Sequence, residues 1–357
     1  MSARYDRFIE NYDFTKNGDT TAKIAKLVDA IKKLRPACKD PEYAYDIHLR
    51  EKSEIMVYHG GTCLLVINLS RLSNGQISFK SKSYEKERDK PKDKKCPELF
   101  KGKECVEAFA LLKTVRNVEN MELIIERVSK FLNYAVSTVS DKFYHNNHSE
   151  GYWSSKLSID YGRNWTPDDE WLIIDREAVI GFNQTIEKKA SEEKTEFYNA
   201  IKQVVESTKK NQKFSAWGDL SKSFGDELDF LAIGREGQLL CIELKHGNNT
   251  SGIYWGPLQA TVYQEAFEKK ISEISKSILV MVQQKIELGL LPPAACERIP
   301  ADGFKVVKGI LAVADTSDNL KSECWQRAYM VNGLLERPVS MVRSLTKSGN
   351  MGWKSFP

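Results

Sequence analysis

The chain has little of what marks a secreted, metal-clustered or membrane-bound protein. Its seven cysteines, at positions 38, 63, 96, 105, 241, 296 and 324, are odd in number, unevenly spaced and contain no C-x-x-C. That pattern indicates neither a disulfide framework nor a zinc finger. No apolar run approaches the length of a membrane span, and the start, Met1-Ser2-Ala3-Arg4-Tyr5-Asp6, lacks a signal-type apolar region. A reducing cytoplasm is therefore the expected home, with no membrane partner. G-x-x-x-x-G-K-[ST], G-x-S-x-G and H-E-x-x-H are all missing, which removes a P-loop ATPase or helicase, an elbow-type serine hydrolase and a zincin. Histidine is scarce, and the H-x-x-H of His145 and His148 has no third ligand close in sequence, so it reads as loop. Nor is there a large charge of one sign: 53 Lys and Arg against 49 Asp and Glu leave +4, a balance that permits a nucleic-acid partner without demanding one.

What is present is enough for a soluble protein with two cores: 357 residues, 41% of them hydrophobic and 29% charged. Residues 1–145 read as a smaller α+β domain. A basic amphipathic helix runs from Thr20 to Leu34, then Ile55–His59 and Thr62–Leu69 flank Gly60-Gly61 as a hairpin, with a third strand at Gln76–Ser83. Helices around Lys103–Thr114 and Val118–Val139 follow. Recognition, partner binding or homodimerisation are the roles left to this domain. The polar stretch His145–Gly151 then serves as linker to a second domain at 150–357.

The second domain holds the densest chemical signal. Gly225-Asp226-Glu227-Leu228-Asp229-Phe230-Leu231-Ala232-Ile233 and Leu239-Leu240-Cys241-Ile242-Glu243-Leu244-Lys245 are apolar runs of strand length around a turn-rich break. Side chains alternate along a strand, so Glu243 and Lys245 share a face. Asp229 joins them when residue 229 stands opposite 243 and 233 opposite 239, leaving a five-residue loop at 234–238; a one-residue slip turns it away. Two carboxylates on one face can hold a hard divalent cation, and a neighbouring ammonium can orient a water and screen negative charge. That is apparatus for phosphodiester hydrolysis. A solvated hairpin with an ordinary ion pair is the plainer reading, against which the apolar flanks argue.

These residues resemble the PD-(D/E)XK nuclease superfamily of restriction enzymes, resolvases and RecB-type exonucleases. Asp229 takes the place of the metal-binding aspartate, with Leu228 where a proline is usual, and Glu243-Leu244-Lys245 matches the E-x-K element. The resemblance implies that Asp229, Glu243 and the Leu244 carbonyl bind Mg²⁺ or Mn²⁺, and that Lys245 positions the attacking water. Gln259-Ala260-Thr261-Val262-Tyr263 is a Q-x-x-x-Y, similar to the extra motif of the RecB-type branch, and residues four apart share a helix face. The superfamily also places a carboxylate on a helix before the hairpin. In the helical pattern of Thr185–Ser207, Glu193 lies on the apolar stripe of Phe197, Ala200, Ile201, Val204 and Val205, with Glu196 second. Asp175 and Glu177, between the strand segments Trp171–Ile174 and Ala178–Phe182, are rivals without a helix to carry them.

The expected fold is α/β: a restriction-endonuclease-like mixed sheet flanked by helices, preceded by the α+β domain. The expected function is metal-dependent nuclease action, on DNA first. The alternative is a catalytically silent nuclease fold that binds nucleic acid or a protein partner. Two further features bear on nucleic acid. In Lys80–Lys103 ten basic residues face five acidic ones, so Lys90, Lys92, Lys94 and Lys95 are either a solvated loop or a phosphate-tracking arm. Tyr254 and Trp255 either stack on a base or pack against the sheet. His246, directly after Lys245, either assists the site or is solvated at the strand end.

Overall fold

The computed structural model describes residues 3–10, 12, 19–35, 44–81, 102–138, 150–180, 203–210, 217, 227–316, 323–345 and 353–355. They form a mixed α/β structure with a four-stranded and a six-stranded sheet. The chain divides into two compact units, one made of Asp6–Asp169 with Ser277–Cys296, the other of Met1–Tyr5, Glu170–Lys276 and Glu297–Pro357.

In the first unit, helix α1 (Asp19–Lys33) buries Ile24, Leu27, Val28 and Ile31, an i, i+3, i+4, i+7 stripe. Strands β1 (Asp46–Arg50), β2 (Glu54–His59), β3 (Thr62–Asn68) and β4 (Ser78–Lys80) form an antiparallel meander. Gly60 turns the β2–β3 hairpin at φ 57°, a left-handed conformation that glycine adopts without steric cost. Ile47, Leu49, Ile55, Val57, Leu65 and Ile67 join the α1 stripe and helices α2 (Lys103–Leu112) and α3 (Met121–Thr138) in one core. The third strand, expected at Gln76–Ser83, starts at Ser78 because Gln76 bridges to Asn117 instead, and residues 82–83 lie outside the described ones. β1 escaped the strand pattern altogether: Asp46, His48 and Arg50 alternate with Ile47 and Leu49, and all five are buried.

The border between the units is not the expected linker. Residues after 149 form helix α4 (Glu150–Ser158) and a π-helical turn, Ile159–Arg163. The Ser155 hydroxyl donates to the Gly60 carbonyl at 3.1 Å and Ser158 to Asp46 Oδ1 at 3.1 Å. Those bonds hold α4 to the first sheet, so 150–169 belong to the first unit despite the polar approach to them.

The second unit is built on a sheet of order β10-β9-β8-β7-β6-β5. Strand β5 is Trp171–Ala178, one continuous strand rather than two segments; a helix at 203–210, α5, follows. Then come β6 (Leu228–Gly234), β7 (Leu239–His246), α6 (Thr250–Glu287), β8 (Val307–Thr316), α7 (Glu323–Gly333), β9 (Ser340–Leu345) and β10 (Trp353–Ser355). β5, β6 and β7 are antiparallel neighbours, β8 and β9 add in parallel, and β10 closes antiparallel. The parallel additions need crossovers, which α6 and α7 supply. Gly309 lets α6 lie close to β8: a Cβ there would stand 2.9 Å from Gln264 Oε1 and 3.0 Å from the Ala260 carbonyl. From residue 277 onward α6 belongs to the first unit, where the Gln284 amide accepts from Ile9 N–H at 2.7 Å and donates to its carbonyl at 2.8 Å. Among the described residues no helix is long and apolar enough to cross a membrane.

Candidate active site

The β6–β7 hairpin has the register expected of it. Ile233 pairs with Leu239 and Phe230 with Ile242, and Gly237 closes the loop at φ 75° while its N–H donates to the Gly234 carbonyl at 3.0 Å. Beyond Phe230 the ladder gives way to a side chain: Asp229 Oδ2 accepts the Leu244 N–H at 2.7 Å. N–H and C=O of one residue point to the same side of a strand, so the Leu244 carbonyl also faces the β6 side, where Asp229 lies. Glu243 and Lys245 stand on the face of Asp229, and Lys245 Nζ donates to Glu243 Oε1 at 2.5 Å.

Glu243 is the unusual member. It is 3% exposed, and its second oxygen, Oε2, is buried with no hydrogen-bond donor among the described residues. Burial first, then the neighbouring Asp229 carboxylate, push its pKa up to about 8, against the pull of Lys245. An unsatisfied buried carboxylate oxygen is costly unless a proton or a cation meets it. A hard cation fits this donor set, and Asp229, Glu243 and the Leu244 carbonyl are the residues that would hold it. No group of three or more His, Cys, Asp or Glu that could share a metal occurs among the described residues.

Asp175 belongs to this face as well. It pairs with Leu231 on β6, which pairs with Cys241 on β7, and cross-strand partners point the same way. Its carboxylate is fully buried, with Oδ2 accepting from the Tyr5 hydroxyl at 2.6 Å and Oδ1 from the Arg176 N–H at 2.9 Å. The signal was a charge at the heart of an apolar strand; reading the run as two segments hid it. Glu177 sits in the left-handed region at φ 49° and lies 3.4 Å from Arg176. Glu193 and Glu196, and Lys90, Lys92, Lys94 and Lys95, lie outside the described residues.

The Q-x-x-x-Y pair falls on α6, as the spacing required. Tyr263 is 6% exposed and its hydroxyl donates to the Glu227 carbonyl at 2.5 Å, which ties α6 to the chain two residues before Asp229. Gln259 is half-buried. Gln264, which the motif did not mark, accepts the Gly309 N–H at 2.8 Å and joins α6 to β8.

Tyr254 and Trp255 do not face a substrate. They are 4% and 2% exposed and lie in the core with Ile253, Leu258, Val313 and Trp325. Trp217 packs edge-on against Tyr254 at 5.1 Å, and the Arg327 guanidinium lies 4.8 Å over the Trp217 ring. Of their two readings, packing is the one observed: in the first turns of α6 both rings are needed to cover the sheet. His246 is likewise buried rather than solvated; its Nδ1 accepts the Asn248 N–H at 3.2 Å, and Nε2 lies 3.2 Å from Asp315 Oδ2. Comparison of the chain with protein-family models, with curated proteins and with solved structures finds no match.

Proposed function

We propose that the second unit is a metal-dependent nuclease of the PD-(D/E)XK type that hydrolyses phosphodiester bonds, with DNA as the first substrate to test. The observation that carries this reading is Glu243: a buried carboxylate with one oxygen on Lys245 and the other unsatisfied, beside Asp229. The element order supports it, since an antiparallel hairpin bearing both motifs is followed by a helix and a parallel strand. When bound, Mg²⁺ or Mn²⁺ would supply charge neutralisation at the scissile phosphate and a more acidic water. Asp229 and Glu243 would provide the charge that holds the cation. Lys245, kept on Glu243 Oε1, would present its ammonium to the attacking water and to the charge that develops on phosphorus oxygens. Asp175, held by Tyr5, would keep β5 and β6 in place beneath Asp229.

The test is Mn²⁺ binding by calorimetry together with cleavage of plasmid and oligonucleotide DNA. Mn²⁺ bound in the parent and weakened in Asp229→Asn, with cleavage lost in Lys245→Ala, is the expected result. Cleavage by either variant at the parent's rate would overturn the assignment.

A further inference from the structure

Along one flank of α6, at Leu258, Thr261 and Glu265, the second unit holds a cavity of about 320 Å³. These residues recur at i, i+3 and i+7 and so form a single stripe of the helix. None of Asp229, Glu243, Lys245 or Tyr263 lines the space. Helix α5 supplies a second wall through Gln203, Val204 and Ser207, and the turn after α7 a third through Leu334, Leu335, Glu336 and Arg337. The volume is within the range of small-ligand sites.

The walls are tied in place. The Asn332 side chain bridges the base of the turn, donating to the Val339 carbonyl and accepting the Val339 N–H, each at 2.9 Å. At the other end Arg337 donates to both oxygens of Glu268 on α6, Nη2 to Oε1 at 3.2 Å. Val204 and Leu335 pack against the core that holds Leu258, Val262 and Val331. A preformed pocket demands little ordering from a ligand that enters it.

The lining is apolar at Val204, Leu258, Leu334 and Leu335, and its polar part is rich in acceptors. Glu265 is half-buried, and among the described residues no hydrogen bond or ion pair engages it. Burial is the largest influence on its carboxyl and raises its pKa, against the pull of Lys269 and Arg337, while Glu336 and Glu268 add to the rise. Neither cation answers it directly: Arg337 is held by Glu268, and Lys269, one turn on, is exposed. The Thr261 hydroxyl donates to the Pro257 carbonyl at 3.0 Å, so towards a ligand its oxygen can only accept. A partly desolvated carboxylate among leucines is costly alone and favourable beside a cation.

We propose that this cavity is a binding site for a small aliphatic ammonium compound, its alkyl stem along Val204, Leu258, Leu334 and Leu335 and its cationic head on Glu265 and the Thr261 oxygen. An anion of the same length would meet the carboxylates of Glu265 and Glu336, and a neutral one would leave Glu265 unanswered. The site is separate from the β6–β7 hairpin and stands whether or not the second unit cleaves.

The test is a saturation-transfer NMR titration with hexylammonium chloride, in chelator and without DNA, so that nuclease action plays no part. The parent should bind hexylammonium with a dissociation constant of about a millimolar, as befits so small a ligand. Hexanol, with the same stem, should bind about tenfold less tightly, and hexanoate not at all. Glu265→Gln should bring hexylammonium down to the level of hexanol and leave hexanol unchanged, a split that a general loss of structure would not produce. Ser207→Trp, at an exposed position of α5, should fill the space and remove both. A parent that binds the three compounds alike, or none of them, would overturn the proposal, as would a Glu265→Gln variant that keeps the preference for the ammonium. Undiminished binding in Ser207→Trp would overturn it too, and decides the matter should Glu265→Gln fail to fold.

Discussion

At the scale of single residues, the site turns on how Glu243 balances burial and two charged neighbours. Burial and then Asp229 favour its neutral form; Lys245 favours its charged form, and the first pair wins, with the pKa pushed up to about 8. A carboxyl whose folded pKa is raised holds its proton more tightly than the unfolded chain does, so its contribution to stability is full below the unfolded value and is lost as pH rises through the folded one. Glu243 should therefore make the metal-free protein progressively less stable between about pH 4.5 and pH 8. Glu243→Gln should remove that part of the slope, which denaturant melts of parent and variant across the range would show. Cation binding must displace the same proton, so Mn²⁺ affinity should rise by up to about tenfold per pH unit towards 8 and level off above it. A flat affinity between pH 6 and pH 8 would mean that Glu243 is not a ligand.

At the scale of elements, the hairpin was legible because three independent signals agreed: two apolar runs, a turn-rich break, and charges whose spacing fitted only one register. β1 was not, because Asp46, His48 and Arg50 look like a solvated strand face; only the tertiary partners Ser158 and Lys285, distant in sequence, make that face a buried one. The same limit applies to Tyr254 and Trp255, whose neighbours Trp217 and Arg327 cannot be read from spacing. The Q-x-x-x-Y motif splits between these cases. Its helix was evident, but Tyr263 spends its hydroxyl on the Glu227 carbonyl, which makes it a positioning residue for the strand of Asp229. Tyr263→Phe removes one such bond and should cost roughly 1 kcal/mol of stability, with a loss of Mn²⁺ affinity as β6 loosens. Gln259→Ala should leave stability and Mn²⁺ affinity near the parent's and lower turnover alone, as expected for a group that meets the substrate strand. Unfolding, calorimetry and cleavage on the same preparations separate the two; full activity in both variants would leave α6 as scaffold.

At the scale of the whole molecule, the strand and helix patterns indicated an α/β fold, and a mixed α/β structure is present, its chain dividing into two compact units. Where the chain passes between them was hidden, since the last turns of α6 and the residues after it return to the first unit through Gln284, Leu288 and Leu290. A helix that serves two units shows no break in its pattern. Net charge was equally uninformative: +4 over 357 residues conceals local concentrations of positive charge. One is the Lys80–Lys103 stretch, with twice as many basic as acidic residues. Counterion release follows the phosphates neutralised, wherever on the protein the neutralising cations sit. If the stretch tracks a backbone, changing Lys90, Lys92, Lys94 and Lys95 together to Gln should weaken binding to every duplex sequence alike. The salt slope should then flatten by up to about 0.9 for each phosphate left without its lysine. An unchanged slope in the lysine variant would return the stretch to an ordinary solvated loop.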